Sequence, residues 1–178
     1  MGMLTNTKVV HHPHDHLRCL NGALSKARKL CAERNARFTP IREAVLRLLW
    51  QSHQPLGAYQ LQEQLSRISE KAVAAPTIYR TIDFLMELGL IHRIASLNAY
   101  IGCPFPGAEH SDLFLICNDC GTTAEVSHSH VNQLLQQASR RAGFTLRSQS
   151  LELFGLCPQC AIAEQQGSVS AVARQTRD

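Results

Sequence analysis

No run of 18 apolar residues occurs in the 178-residue chain, which excludes a membrane-spanning helix. The beginning of the chain lacks a continuous apolar stretch of signal-peptide type, and the histidines between His11 and His16 would sit badly in one. A soluble, intracellular protein is therefore expected. The cysteine count is seven, an odd number, which argues against a complete disulfide framework. No pair of nucleophile and general base stands out along the chain. Charged residues are few, at 18%, against 44% hydrophobic, so most of the chain has the apolar content to fold as one ordinary domain or two small ones.

The charge that is present is unevenly placed. Residues 1–100 carry 13 Lys/Arg against 7 Asp/Glu, whereas residues 101–178 carry 5 against 7. A basic front half and a mildly acidic back half suggest a division of labour, with nucleic acid as a partner for the front. Ahead of both lies a His-rich leader, residues 1–16, containing His11, His12, His14 and His16, which reads as disordered.

Residues 17–102 have the pattern of a winged helix-turn-helix. Leu20, Leu24, Ala27 and Cys31 recur at helical spacing, with Cys31 as a small core residue. Thr39-Pro40 is a helix-start signal ahead of Val45, Leu46, Leu48 and Leu49. A third helix over 58–68 has Leu61, Leu65 and Ile68 as its stripe. Pro76 opens a fourth, with Ile78, Ile82 and Leu85 inward and Gly89 as its C-cap. That leaves Thr77, Tyr79, Arg80 and Asp83 towards solvent. Two strand-like pieces, 90–95 and 99–102, complete a wing. Arg80 has the donors to read guanine O6 and N7, Tyr79 the ring to pack on a thymine methyl, and Arg37 and Arg42 suit phosphates. The same residues also fit a plain helical bundle in which Arg80 pairs with Asp83 or Glu87.

Residues 103–111, with Pro104, Pro106 and Gly107, read as a hinge. The segment 112–162 reads as a small α/β domain: strands at 113–116 and 122–126, a helix to about 142, and a long alternating strand over 144–154. Residues 163–178 are expected to be a disordered tail. The overall fold class is α+β.

Within this half, Cys117-Asn118-Asp119-Cys120-Gly121 and Cys157-Pro158-Gln159-Cys160 form two C-x-x-C pairs. The two-residue gap turns both sulfurs to one side, and Gly121 suits the tight backbone. Four thiolates complete a closed zinc shell with no open position for catalysis. A dithiol redox pair is the rival, but neither pair follows a strand and opens a helix within a βαβ unit. His92, Cys103, His110 and Glu125 remain as further ligand types, and together they would suit zinc more than a hard cation. Each also has a bland reading, as a wing histidine, a buried thiol, a loop histidine and a strand charge. Spacing alone leaves the two readings open. A zinc hydrolase with Glu125 as base is a further alternative, but Glu125 as a ligand would leave water no position.

Three stretches together resemble a known family: 33–40 (Glu-Arg-Asn-Ala-Arg-Phe-Thr-Pro), 75–85 (Ala-Pro-Thr-Ile-Tyr-Arg-Thr-Ile-Asp-Phe-Leu), and the frame of paired cysteines. Over about 18–162 the chain is similar to the ferric uptake regulator family, and within it to the zinc-sensing branch. The resemblance implies a homodimeric, cytoplasmic bacterial repressor with two zinc ions per chain. One ion would be structural, on Cys117, Cys120, Cys157 and Cys160. The other would be the corepressor, on His92, Cys103, His110 and Glu125. It implies double-stranded operator DNA with an A·T-rich inverted repeat, upstream of zinc-uptake genes, contacted by Tyr59, Tyr79 and Arg80. Of the histidine cluster that iron- and peroxide-responsive members carry before the first C-x-x-C, only His110 survives here. That weighs against those two signals. His128 and His130 read as solvated.

Overall fold

The computed structural model describes residues 16–69, 71–107, 112–126 and 129–175. Four helices open the fold: α1 (His16–Glu33), α2 (Pro40–Gln51), α3 (Ala58–Ser69) and α4 (Ala75–Glu87). Leu24, Ala27 and Cys31 of α1 are buried against Val45, Leu46, Leu48 and Leu49 of α2, Leu61 and Leu65 of α3, and Ile78, Ile82 and Leu85 of α4. These are the apolar positions at helical spacing, closed into one core. Ile68, expected in the α3 stripe, is instead 66% exposed, so the stripe ends at Leu65.

The helix ends follow local chemistry. Pro40 starts α2 with its fixed φ, but the Thr39 hydroxyl makes no cap bond; the Thr39 carbonyl accepts from Glu43 N–H instead. Asn35, at φ 49, ends α1 in a Schellman turn, with Ala36 N–H donating to the Cys31 carbonyl. Gly89, at φ 65, ends α4 in the same way, with Leu90 N–H donating to the Leu85 carbonyl. A side chain at Gly89 would meet the left-handed penalty that glycine escapes. Arg34 reaches across from α1 to donate to the Glu87 carbonyl, so the two helix ends are joined.

Directly after Gly89 the chain enters β1 (Ile91–Ile94) and β2 (Ala99–Gly102), an antiparallel hairpin in which His92 faces Ile101. A single bridge from Leu56 to Tyr100 extends it. This is the wing that the alternation predicts.

The second half is built on β3 (Asp112–Cys117), β4 (Thr123–Val126) and β5 (Ser150–Gly155), in the order β4-β3-β5. The β3–β4 pair is antiparallel, and the β3–β5 pair is parallel. Parallel pairing needs a crossover, supplied by α5 (Ser129–Arg141). Two expectations fail here. The strand predicted over 144–154 is confined to β5, because Phe144 N–H closes α5 on the Ser139 carbonyl and the following residues are the return of the crossover. The tail predicted to lack structure is helical to Gln175, in α6 (Pro158–Gln175). Its alanine, glutamine and glutamate content favours a helix. The leader over 1–15 and the last three residues lie outside the described residues.

Candidate metal centres and nucleic-acid interface

The parallel register explains why the two C-x-x-C pairs meet. Cys117 stands opposite Gly155, and Asn118 N–H donates to the Gly155 carbonyl at 2.8 Å. The chain leaving β5 therefore delivers Cys157, and Cys160 in the first turn of α6, beside the turn after β3. That turn is closed by Gly121, at φ 70, whose N–H donates to the Cys117 carbonyl. The four sulfurs lie within 4.8 Å of one another. Cys120 and Cys157 are 3.8 Å apart, sulfur to sulfur. Zinc–sulfur bonds of about 2.3 Å in a tetrahedron imply an edge of about 3.8 Å, so the four donors fit zinc.

The thiols are also electrostatically prepared. Burial pushes the Cys117 thiol up, but the backbone N–H groups of Cys120, Cys157 and Asp119 outweigh it and bring the group down to about 6. The Thr122 hydroxyl, 3.1 Å from the Cys120 sulfur, holds that thiol below its ordinary value too. Cys160 is raised, chiefly by its bond with Cys157.

The second cluster spans the two halves. His92 lies on β1, Cys103 just past β2, and Glu125 on β4, and one donor atom of each lies within 4.8 Å of the others. His92 Nε2 is 3.4 Å from Glu125 Oε2. Cys103 is 1% exposed and Glu125 4%. The His92 ring sits against Phe114 of β3, with 5.5 Å between centroids. A buried carboxylate beside a thiol is costly without a compensating cation, and an N, S, O donor set is one that zinc accepts. His110, the fourth expected ligand, lies outside the described residues. A cavity of about 530 Å³ carries Cys103, Glu125 and Cys19 on its wall. His130 is exposed, and His128 lies outside the described residues.

The polar contacts between the halves are a feature that the sequence reading missed. Gln54 donates from Nε2 to the Cys120 carbonyl at 2.7 Å, and Thr123 N–H donates to the His53 carbonyl at 2.8 Å. Glu152 of β5 accepts from two backbone amides of the hairpin turn. Glutamine and glutamate at these positions carry no sequence signature of such roles.

On α4, Tyr79 is 53% exposed, Arg80 is exposed and Thr77 is half-buried. Arg80 pairs with neither Asp83 nor Glu87 among the described residues. Tyr59 of α3 is 77% exposed. Arg37 is open to solvent. Arg42 is already engaged: its guanidinium stacks 3.3 Å over the Phe84 ring and donates to the Arg37 carbonyl. Of the expected phosphate contacts, Arg42 is therefore half-committed to the fold.

Residues 33–154 match the ferric uptake regulator family. The chain belongs to this family. A relative in Escherichia coli (strain K12), the zinc uptake regulation protein, is 37% identical over 142 residues, which cover 79% of this chain and 82% of the relative. Among solved structures, a zinc uptake regulator complexed with zinc and DNA superposes with a TM-score of 0.76 at 34% identity. The superposition covers 82% of this chain and 97% of that one. Holo XcZur superposes at 0.72 and 38% identity, covering 80% and 99%. As a family member the chain has the expected α+β fold, with the winged helices in front and the four-cysteine cluster behind.

Proposed function

We propose that this family member is a zinc-responsive transcriptional repressor. With zinc bound it would hold an A·T-rich inverted repeat and silence zinc-uptake genes in the bacterial cytoplasm. The observation that carries the reading is the buried cluster of His92, Cys103 and Glu125, because its donors come from both halves of the molecule. His110 would complete the set. The similarity to a regulator complexed with zinc and DNA supports the same reading.

Two ions per chain follow from two donor sets with different tasks. The four cysteines tie the end of β3 to the start of α6 and so hold the sheet closed. At the second set, zinc supplies the positive charge that lets a carboxylate and a thiolate share a buried site. His92 and Cys103 then fix the hairpin on β4, and the hairpin fixes α4, which it follows directly. Tyr79, Arg80 and Thr77 would face the major groove, with Tyr59 and Arg37 at the flanks.

A second copy of the chain would supply the other recognition helix. Leu134, Phe144, Leu146, Leu153, Phe154 and Ile162 of the back half are exposed apolar residues that a homodimer would cover. The hinge over 103–111 would join the reader (17–102) to the dimerisation domain (112–162). Cys103 in the buried set disfavours iron or peroxide as the signal, and four protein ligands would leave a hydrolase no water position.

The deciding experiment counts metal per chain before and after mild chelation, with binding to an A·T-rich palindrome followed in parallel. One ion should stay, a second should leave, and DNA binding should leave with it. DNA binding that ignores the second zinc, or responds only to ferrous iron, overturns the reading.

A further inference from the structure

The second sheet lines up three residues on one rung. Phe114 of β3 stands opposite Glu125 of β4 and opposite Glu152 of β5. Residues directly opposed in a sheet project from the same face. All three side chains here meet the hairpin. Glu125 reaches His92, Phe114 packs on the His92 ring, and Glu152 reaches the turn between β1 and β2. Glu152 Oε1 accepts the Ala95 N–H at 2.7 Å, and Oε2 accepts the Ser96 N–H at 3.2 Å. One carboxylate thus spans two consecutive amides. Against the opposing effect of burial, the Ser96 hydroxyl and these two amides hold the Glu152 carboxyl below the ordinary range, so it is ionised at neutral pH.

The two attachments lie at different ends of the hairpin. His92 and Cys103 belong to its open end, where Ile91 pairs with Gly102. Ala95 and Ser96 belong to its closed end. Between them Ile94 and Ile101 pack on Phe114 and Ile116, so the hairpin lies on the sheet, and the carboxylate at its tip fixes its direction there. Because α4 runs into β1 through Leu88, Gly89 and Leu90 alone, the direction of the hairpin is also that of the recognition helix.

We propose that Glu152 is a positioning residue for the metal response: a latch, independent of metal, that holds the hairpin turn on β5 and keeps His92 and Cys103 opposite Glu125. The inference rests on reading that cluster as the regulatory centre. Latch and metal favour the same arrangement of the halves, so losing the latch makes each ion do more ordering and raises the zinc needed for DNA binding.

The test uses the full chain with Glu152→Gln, which keeps shape and loses charge, and Glu152→Ala. Second-site zinc affinity is measured by competition with a chromophoric chelator, and operator binding is followed against free zinc. Amide exchange is read at Ala95 and Ser96. In both variants the first zinc should remain at one per chain. The second should bind at least fivefold more weakly, with the free zinc for half-maximal DNA binding raised by the same factor. Saturating zinc should restore DNA binding. Exchange at Ala95 and Ser96 should be slowed in the zinc-free parent protein and accelerate in the variants. Zinc affinity within twofold of the parent, or solvent-rate exchange at the two amides of the parent, overturns the latch. Loss of the first zinc in Glu152→Gln also overturns it, in favour of a purely structural role. Cys103→Ser is measured alongside: if that variant keeps its second zinc, the regulatory-centre reading itself fails. If it loses the ion while Glu152→Gln changes nothing, only the latch fails.

Discussion

Cys103 is the residue on which the zinc reading turns. It is 1% exposed, and its sulfur accepts the Phe105 N–H at 3.3 Å. Serine preserves the size but offers zinc a poor ligand. Cys103→Ser is expected to lose the second ion and zinc-dependent DNA binding while remaining a folded dimer, as read by metal counting, gel shift and sedimentation. Arg80→Ala belongs to the other function. It should weaken operator binding by about 5- to 150-fold, the equivalent of about 1–3 kcal/mol for a bidentate base contact. Zinc affinity in the absence of DNA should not move. At this scale the sequence was readable where residue type limits environment: the two C-x-x-C pairs do meet, and Tyr79 and Arg80 do lie on the open face of their helix. Glu152 and Gln54 were not readable, because a carboxylate or amide that binds backbone groups of a distant segment resembles any other polar residue.

Among the elements, α4 meets the wing at a left-handed glycine. Gly89→Ala places a Cβ at φ 65 and should cost about 1 kcal/mol or more in unfolding free energy, measured by urea denaturation of the zinc-loaded protein. Beside the apolar α1–α2 contact, Glu43 accepts from Arg28 Nη2 of α1 at 3.0 Å and from Arg47 Nη2 of its own helix at 2.8 Å. The bond with Arg47, set against burial and joined by Arg28, holds the Glu43 carboxyl below its ordinary value. A lowered value in the folded state means stability that is present above the ordinary glutamate value of about 4.3. It is lost as pH falls through the folded value. Glu43→Gln should therefore flatten the acid limb of the stability–pH curve and leave neutral-pH DNA binding in place. Helix boundaries were legible because caps are local chemistry, as Pro40 and Gly89 show. The strand over 144–154 was over-read because alternating apolar residues mark any half-covered extended segment. Only the pairing with β3 decides where a strand begins.

For the whole molecule, the four-cysteine centre carries the back half. Cys117→Ser leaves three sulfurs around a buried position. It should unfold residues 112–162 and abolish dimerisation while the front helices keep their circular dichroism, because the helix core closes without a residue of the back half. The convergence of His92, Cys103 and Glu125 was beyond reading from spacing. Their separations along the chain are irregular, and it is the hairpin register and the β3–β4 pairing that bring them together.

The parallel pairing of β3 with β5 has a consequence for synthesis. A ribosome releases Cys117 and Cys120 well before Cys157, which follows Cys117 by 40 positions. During that interval the helix core of the front half is complete, while the cysteine cluster has half its donors and β3 lacks one neighbour. A chain cut short anywhere in that stretch keeps α4 but lacks half of the cysteine cluster, and with it the back half that the proposed dimer would use. It would meet an operator with one half-site contact only. On the function proposed above, metal closure at the far end of the chain would act as a check on completeness, with unfinished copies competing poorly against finished ones for the same DNA.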